Sequence, residues 1–578
     1  MKSMTRKRGQ KIIRRFSRVS VRASEEGKEH IKENLIDRFS HIASIRLLIV
    51  EWGLLVVALI MLAVTQAFWF GGSYAEEAFL DGGTYIEATI GDVKSMNPLF
   101  ASTSSEKVLS KLMFATLSTI DYSGHVGIGL AQSIRSNTDG TVWTVKLRDN
   151  LKWSDGEPIT NEDVIFTAKL LKNPLVNSLY DSNLSNVKVS EDEEGRLVFT
   201  LPSAYADFMT ALNFPIVPKH ILEEADPQTL IENNFSTAPV TSGAFAFNAV
   251  QTAAGPDEKV YYLMANPYYY KGKPRLDSFA IHTYSNKTQV IESVNTGSVT
   301  ATAELSPADA KDIVSGQFSE KVASLNSGTF IFFNTKKQIL KDADTRKAIR
   351  QGLDLEEIRK KAPDTTPLDY PLLSSQIELT TYPSLPDHDN NAAVAKIAEI
   401  SVDGKPHIDL ATVNSGFLPA VTEVIKSELT SLGFEVDLTV YEENQDFINN
   451  VISKRGYDIL VYDIELGADP DLLPYYHSTQ ATSSGLNLSN YRNALVDDLL
   501  LGARDVIDPE LRAKKYESFL EYWVTETPAI GLYQVNLSYY YNKNVRPFGD
   551  NVHLVTALDR FTDITEWATA KGTKNKTP

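Results

Sequence analysis

Nineteen consecutive residues without a charge, WGLLVVALIMLAVTQAFWF (52–70), split this 578-residue chain into two unlike parts. As a helix they extend about 28 Å, close to the thickness of a bilayer's hydrocarbon layer. Trp52 at one end and Phe68, Trp69 and Phe70 at the other suit the two membrane interfaces, where amphipathic rings settle. A cleaved signal peptide is the competing reading. It would need an n-region of some 46 residues and an over-long apolar core, and its best cleavage candidate is a loose SYA (73–75). A single uncleaved transmembrane anchor over 47–70 is therefore the expectation.

Charge is divided at the same place. Residues 1–46 hold 13 Lys/Arg against 5 Asp/Glu, whereas 71–578 hold 44 basic and 68 acidic residues. By the positive-inside rule the basic segment stays in the cytoplasm and the body lies outside a cell membrane crossed once. RKRGQKIIRRFSRVSVR (6–22) also reads as a nucleic-acid arm, but its place just before an apolar span makes topology the simpler account. The acidic body repels phosphates, so no nucleic-acid partner is expected for it. Ile31, Leu35, Ile42 and Ile45 fall at roughly helical spacing, consistent with an amphipathic helix over 24–45 on the inner membrane face. Cysteine is absent, which excludes disulfides, thiolate metal sites, a cysteine nucleophile and a lipidated N-terminal Cys. The bilayer partner must be reached through peptide.

After a linker (71–82), strand-like and helical runs alternate in a mixed α/β pattern. YIEATI (85–90), TVWTVKL (141–147), EVDLTVY (435–441) and YDILVYDI (457–464) read as strands. Segments 104–117, 346–360, 418–434 and 511–530 read as helices, the last ending before Pro528. In LRDNLKWSDGEPITNEDVIFTAKLL (147–171), WSDG makes a turn at Gly156, and Thr160 with Asp163 forms a capping-box pair. Val164, Ile165, Ala168 and Leu171 then make a buried stripe, so the acids of this stretch have structural roles. A polar, disordered tail is expected over 569–578.

Phosphate-loop, HExxH and GxSxG patterns are missing, and GHVGIGLAQS (124–133) lacks the third glycine of a dinucleotide loop. The nine His are scattered. No enzyme activity, metal or cofactor is expected. Acids do gather in YDIELGADPDLLPYYHS (462–478), where Asp463, Glu465, Asp469 and Asp471 flank a strand end. Acid/base chemistry, capture of a cationic ligand group, and a loop whose acids cap a helix or face solvent all fit this pattern.

Taken in order, SMNPLFAS (95–102), GLAQS (129–133), NTDGTVWTVKLRDNLKWSDGEPITNEDVIFT (137–167), VPKHIL (217–222), APVTSGAFAF (238–247), ANPYYYKGKPRLDSFAIH (265–282), FFNTKKQILKDADTRKAIRQGLD (332–354) and YRNALVDDLLLGAR (491–504) carry a resemblance. The chain resembles the extracellular solute-binding proteins of family 5, the oligopeptide- and dipeptide-binding proteins of ABC importers, over roughly 83–565. The resemblance implies a three-lobed, periplasmic-binding-protein-like α/β fold (type II, cluster C) behind the transmembrane helix. Lobe I would comprise 83–125, 225–305 and 540–568; lobe II, 126–224; lobe III, 306–539. It implies a peptide ligand held in an inter-lobe cleft by hinge closure and handed to permease subunits with a cytoplasmic ATPase. Ser102, Thr103, Ser104 and Ser105 fall where such proteins line the cleft, and Tyr475 offers a stacking surface. Peptide-binding members place an aspartate, which clamps the ligand amine, four residues before a proline. Here that position is Leu466, leaving Asp463 or Glu465 as substitutes if the loop is shifted, with Asp469 also counted among the ligand-binding candidates. The TGSVTA segment (296–301) also lacks the family's acid. Alternatives are a non-peptide solute (sugar, metal chelate or cation) on the same fold, or a surface peptide receptor or chaperone without transport.

Overall fold

A computed structural model describes residues 46–575, except 179, 181–183, 185, 253–257, 401–403 and 443–444. The basic segment up to residue 45 and the amphipathic helix expected at 24–45 lie outside the described residues. The chain forms two compact units, one of residues up to Ala78 together with Gly572 onward, the other Phe79–Lys571.

The first unit contains a 29-residue helix, Arg46–Tyr74. Its side chains are described for 50–66, and the large apolar ones there, from Val50 to Val64, are about half exposed or more. Among the described residues no helix is long and apolar enough to cross a membrane. Two expectations need correction. The helix runs on to Tyr74 and a strand follows at Ala75–Leu80, where a linker was expected; that strand pairs with Ala570–Asn575, where a disordered tail was expected. A two-stranded ladder is held by main-chain groups, so polar sequence is no obstacle to it.

In the body the strands used below are β1 (Thr84–Ile90), β2 (Ala131–Ser136), β3 (Val142–Leu147), β4 (Lys188–Glu191), β5 (Leu197–Thr200), β6 (Phe245–Thr252), β7 (Lys259–Ala265), β8 (Ser278–Tyr284), β9 (Ala301–Thr302), β10 (Phe318–Phe333), β11 (His407–Val413), β12 (Glu435–Tyr441), β13 (Ile459–Glu465) and β14 (Ala529–Asn542). The largest sheet runs β12-β11-β13-β10-β14-β9-β1-β8-β7-β6, and a separate sheet runs β2-β3-β5-β4. The stretch around Trp153 folds as its residues dictate. Gly156 takes φ +96°, the Thr160 N–H donates to Asp163 Oδ2 at 2.8 Å, and the helix Asn161–Leu171 buries Val164, Ala168 and Leu171. The other oxygen of Asp163 accepts the Lys219 N–H at 2.8 Å, tying this helix start to the next segment.

Two large apolar cores result. One gathers Tyr85, Leu109, Trp143, Trp153, Phe279, Tyr539 and Trp567. In it Tyr85, at the start of the body, meets Trp567, near its end, with ring centroids 4.9 Å apart. The other gathers Phe332, Ile349, Leu410, Ile425, Leu460, Leu466 and Trp523. β10 and β14, 16 and 14 residues long, pair antiparallel and pass from one core to the other. Ala323 and Leu537 belong to the first core, Phe330 and Ile530 to the second. Between them the register shifts, at Ser324 to Gly328. Such an irregularity bends the ladder and raises its local twist.

Candidate binding cleft

Over this crossing lies a cleft of about 820 Å³. Glu320, Val322 and Leu325 of β10 and Tyr533 with Val535 to Ser538 of β14 line it. Ser102, Ser104 and Lys107 come in from the start of the helix Ser104–Met113, and Glu304 to Pro307 from the segment after β9. From the second core's side come Pro363 to Thr365, Ser415 to Phe417, and Asp463 at the end of β13.

Four carboxylates, those of Glu304, Glu320, Asp364 and Asp463, therefore face two ammonium groups, and one of these, on Lys287, already pairs with Asp309 at 2.9 Å. Several of the acids are oriented by hydroxyls. Ser104 Oγ donates to Glu304 Oε1 at 2.5 Å, Tyr540 to Glu320 at 2.8 Å, and Thr329 to Asp463 Oδ1 at 2.5 Å. Burial pushes the Glu304 pKa up, against the Ser104 hydroxyl and the charge of Arg560. A cationic ligand group arriving beside it would favour its ionised form.

The wall carrying Ser102 is built by Glu106, a buried acid outside the cleft lining. Its carboxylate accepts the N–H groups of Lys94 (2.8 Å), Ser102 (2.9 Å) and Thr103 (3.1 Å). Burial alone would raise its pKa, but these amides outweigh it and hold the group below the usual range. Among the described residues no group of three His, Asp or Glu side chains is placed to hold a metal ion.

The sequence matches the family of bacterial extracellular solute-binding proteins, family 5, over residues 126–485, well over half the chain. The chain belongs to that family. Among its solute-binding relatives is the oligopeptide-binding protein AppA of Bacillus subtilis, 25% identical over 79% of this chain and 87% of AppA. The structure of AppA in complex with a nonapeptide superposes with a TM-score of 0.70 at 22% identity, over 85% of this chain and all of that one. The ABC transporter substrate-binding protein CtaP of Listeria monocytogenes has a TM-score of 0.74 at 23% identity, over 85% and 99% of the two chains. NikZ of Campylobacter jejuni, in complex with Ni(L-His), has a TM-score of 0.71 at 21% identity, over 84% and 99%. The solute-binding α/β fold is thus shared by proteins crystallised with quite different ligands.

Of the residues singled out in the sequence, Ser102, Ser104 and Asp463 line the cleft. Thr103 caps the helix at Ser104, accepting the Glu106 N–H at 3.2 Å. Ser105 is buried and donates to the Gly91 carbonyl at 2.8 Å. Leu466 packs into the second core. Glu465 is exposed, and its carbonyl accepts the Tyr475 hydroxyl. Asp469 is buried in a two-pronged ion pair with Arg512, both contacts at 2.5 Å, and Asp471 pairs with Arg504. Glu304, Glu320 and Asp364 were not foreseen. The only available signal was Glu304 itself, an acid a few residues beyond the altered TGSVTA segment.

Proposed function

We propose that this protein is the membrane-anchored, extracytoplasmic binding component of an ABC importer, and that it captures peptides with a free amino terminus. The observation that carries the reading is Asp463, a carboxylate held by Thr329 at the edge of a cleft that spans both cores. It supplies, three residues earlier, the negative charge that Leu466 lacks. The crossing strands at the cleft floor offer main-chain groups for an extended ligand, which is recognition independent of side chains. Isothermal titration with a mixed pool of short peptides, and with the same pool N-acetylated, tests it. Heat from the free-amino pool only is the expected result; heat from neither pool rejects the peptide assignment.

The two cores and the irregular β10–β14 crossing support a division between lobe III at 306–539 and the rest, hinged at residues 324–328. Within the rest, the separate β2-β3-β5-β4 sheet supports lobe II at 126–224 beside lobe I at 83–125, 225–305 and 540–568. Ligand then favours the closed state by touching both sides at once. The charge-free run 52–70 and the exposed apolar side chains from Val50 to Val64 support a single-pass anchor, with the basic segment inside. Persistence in the membrane pellet after alkaline carbonate extraction is expected. A second reading, a small cationic solute or chelate, draws on the surplus of carboxylates in the cleft. Native mass spectrometry of the protein as purified separates the two by the mass retained.

A further inference from the structure

Away from the cleft, three segments meet around a pocket of about 290 Å³: 334–337, 453–455 and 481–490. They are locked together from below. Asn334 Nδ2 donates to the carbonyls of Tyr457 (2.9 Å) and Arg455 (3.3 Å), Asn490 Nδ2 donates to Asn334 Oδ1 at 3.0 Å, and Thr335 donates to the Asn490 carbonyl at 3.0 Å. The lining holds four cations, Lys336, Lys337, Lys454 and Arg455, in a body whose net charge is strongly negative. Among the described residues only Lys337 has an ion-pair partner, Asp458 at 2.8 Å.

Arg455 is the unusual member. It is 7% exposed and sits at φ +52°, a left-handed conformation that a non-glycine residue adopts only with backbone strain. Its terminal nitrogens donate to the carbonyls of Ile452, Thr482, Gly485 and Asn487, while its Nε has no partner. The other buried arginines, Arg346, Arg350 and Arg560, each lie near a carboxylate: Glu526, Asp369 and Glu87. Arg455 has none near enough to act on it, among the described residues, and burial pushes its pKa down. Buried charges in folded proteins are ordinarily compensated.

We propose that this pocket is an anion site that takes a phosphate group, with Lys336 and Lys454 supplying the contacts at its mouth. Compact ammonium charges together with the hydroxyls of Ser453, Thr482 and Ser483 suit a group with several acceptor oxygens. A free phosphate or phosphomonoester and the phosphodiester of a lipid headgroup or surface polymer share this chemistry.

The test titrates the full chain in detergent, at fixed ionic strength, with inorganic phosphate, with glycerophosphoglycerol as a soluble diester, and with sulfate. Saturable binding of phosphate or of the diester is expected, at least tenfold tighter than sulfate; whichever binds identifies the source. The double variant K336A/K454A, whose side chains are both exposed, should keep its melting temperature and lose at least tenfold in affinity. K396A, on the helix Asn390–Ile400 and outside the pocket lining, should bind as the parent does. No saturation by either phosphate probe below about 10 mM overturns the proposal. So does sulfate binding equally tightly, or unchanged affinity in K336A/K454A.

Discussion

Thr329 and Asp463 stand directly opposite each other on β10 and β13, and the threonine hydroxyl donates to the carboxylate at 2.5 Å. The bond fixes one rotamer of the aspartate at the cleft edge, so a ligand ammonium would meet a carboxylate already in place. Asp463→Asn should weaken binding of a free-amino peptide at least tenfold and leave the N-acetylated peptide unchanged. Calorimetry on both ligands checks it, and equal losses for the two would assign Asp463 a purely structural role.

In the first core's interior, Arg560 Nη2 donates to Glu87 Oε1 at 2.5 Å and Tyr539 donates to Glu87 Oε2 at 2.7 Å, with Glu87 fully buried. Removing one partner strands the other charge. Arg560→Met should destabilise the body by about 3–5 kcal/mol, and adding Glu87→Gln should recover part of that. Denaturant titration of the single and double variants gives both numbers.

Asp207 lies in a charge cluster with Asp469, Asp471, Arg504 and Arg512. Burial and then the charge of Asp469 push its pKa up to about 7, against the Thr210 hydroxyl and the charge of Arg512. An unfolded aspartate titrates near 3.9. Between about pH 4 and pH 7 the folded state therefore binds more protons at this position, and its contribution to stability falls as pH rises. The stability of Asp207→Asn relative to the parent should climb across that window and level off above it. Denaturation midpoints from pH 4.5 to pH 8 measure the difference.

Gly531 of β14 is opposite Phe330, inside the second core's end of the crossing. A Cβ there would lie 2.4 Å from the Leu368 carbonyl oxygen, a main-chain atom that cannot swing aside. At Gly328 the nearest atom is the end of the Leu368 side chain. Gly531→Ala should cost about 1–3 kcal/mol, and more than Gly328→Ala. Thermal unfolding of the two variants ranks them.

Local structure was largely legible in the sequence because its causes are local. The strand at Glu435–Tyr441, the Pro-initiated helix Leu418–Ser431 and the Thr160–Asp163 box all follow from spacing within a few residues. The acidic loop was not resolvable in that way. Asp469 and Asp471 are taken up by Arg512 and Arg504, on helices that come later in the chain, and nothing near 469–471 announces those partners. The same holds for Glu304, Asp364 and Phe417, which reach the cleft only through the tertiary path of the chain. The helix expected over 346–360 is broken after Gly352, where Asp354 caps a second, shorter helix.

The meeting of Tyr85 with Trp567 also sets an order of events. The first core begins with almost the first residues of the body and cannot be completed until the last have been made, and β10 must wait some two hundred residues for β14. Contacts this remote in sequence make folding slow. For the extracytoplasmic body proposed above, that delay would keep the chain translocatable until its final segment has crossed.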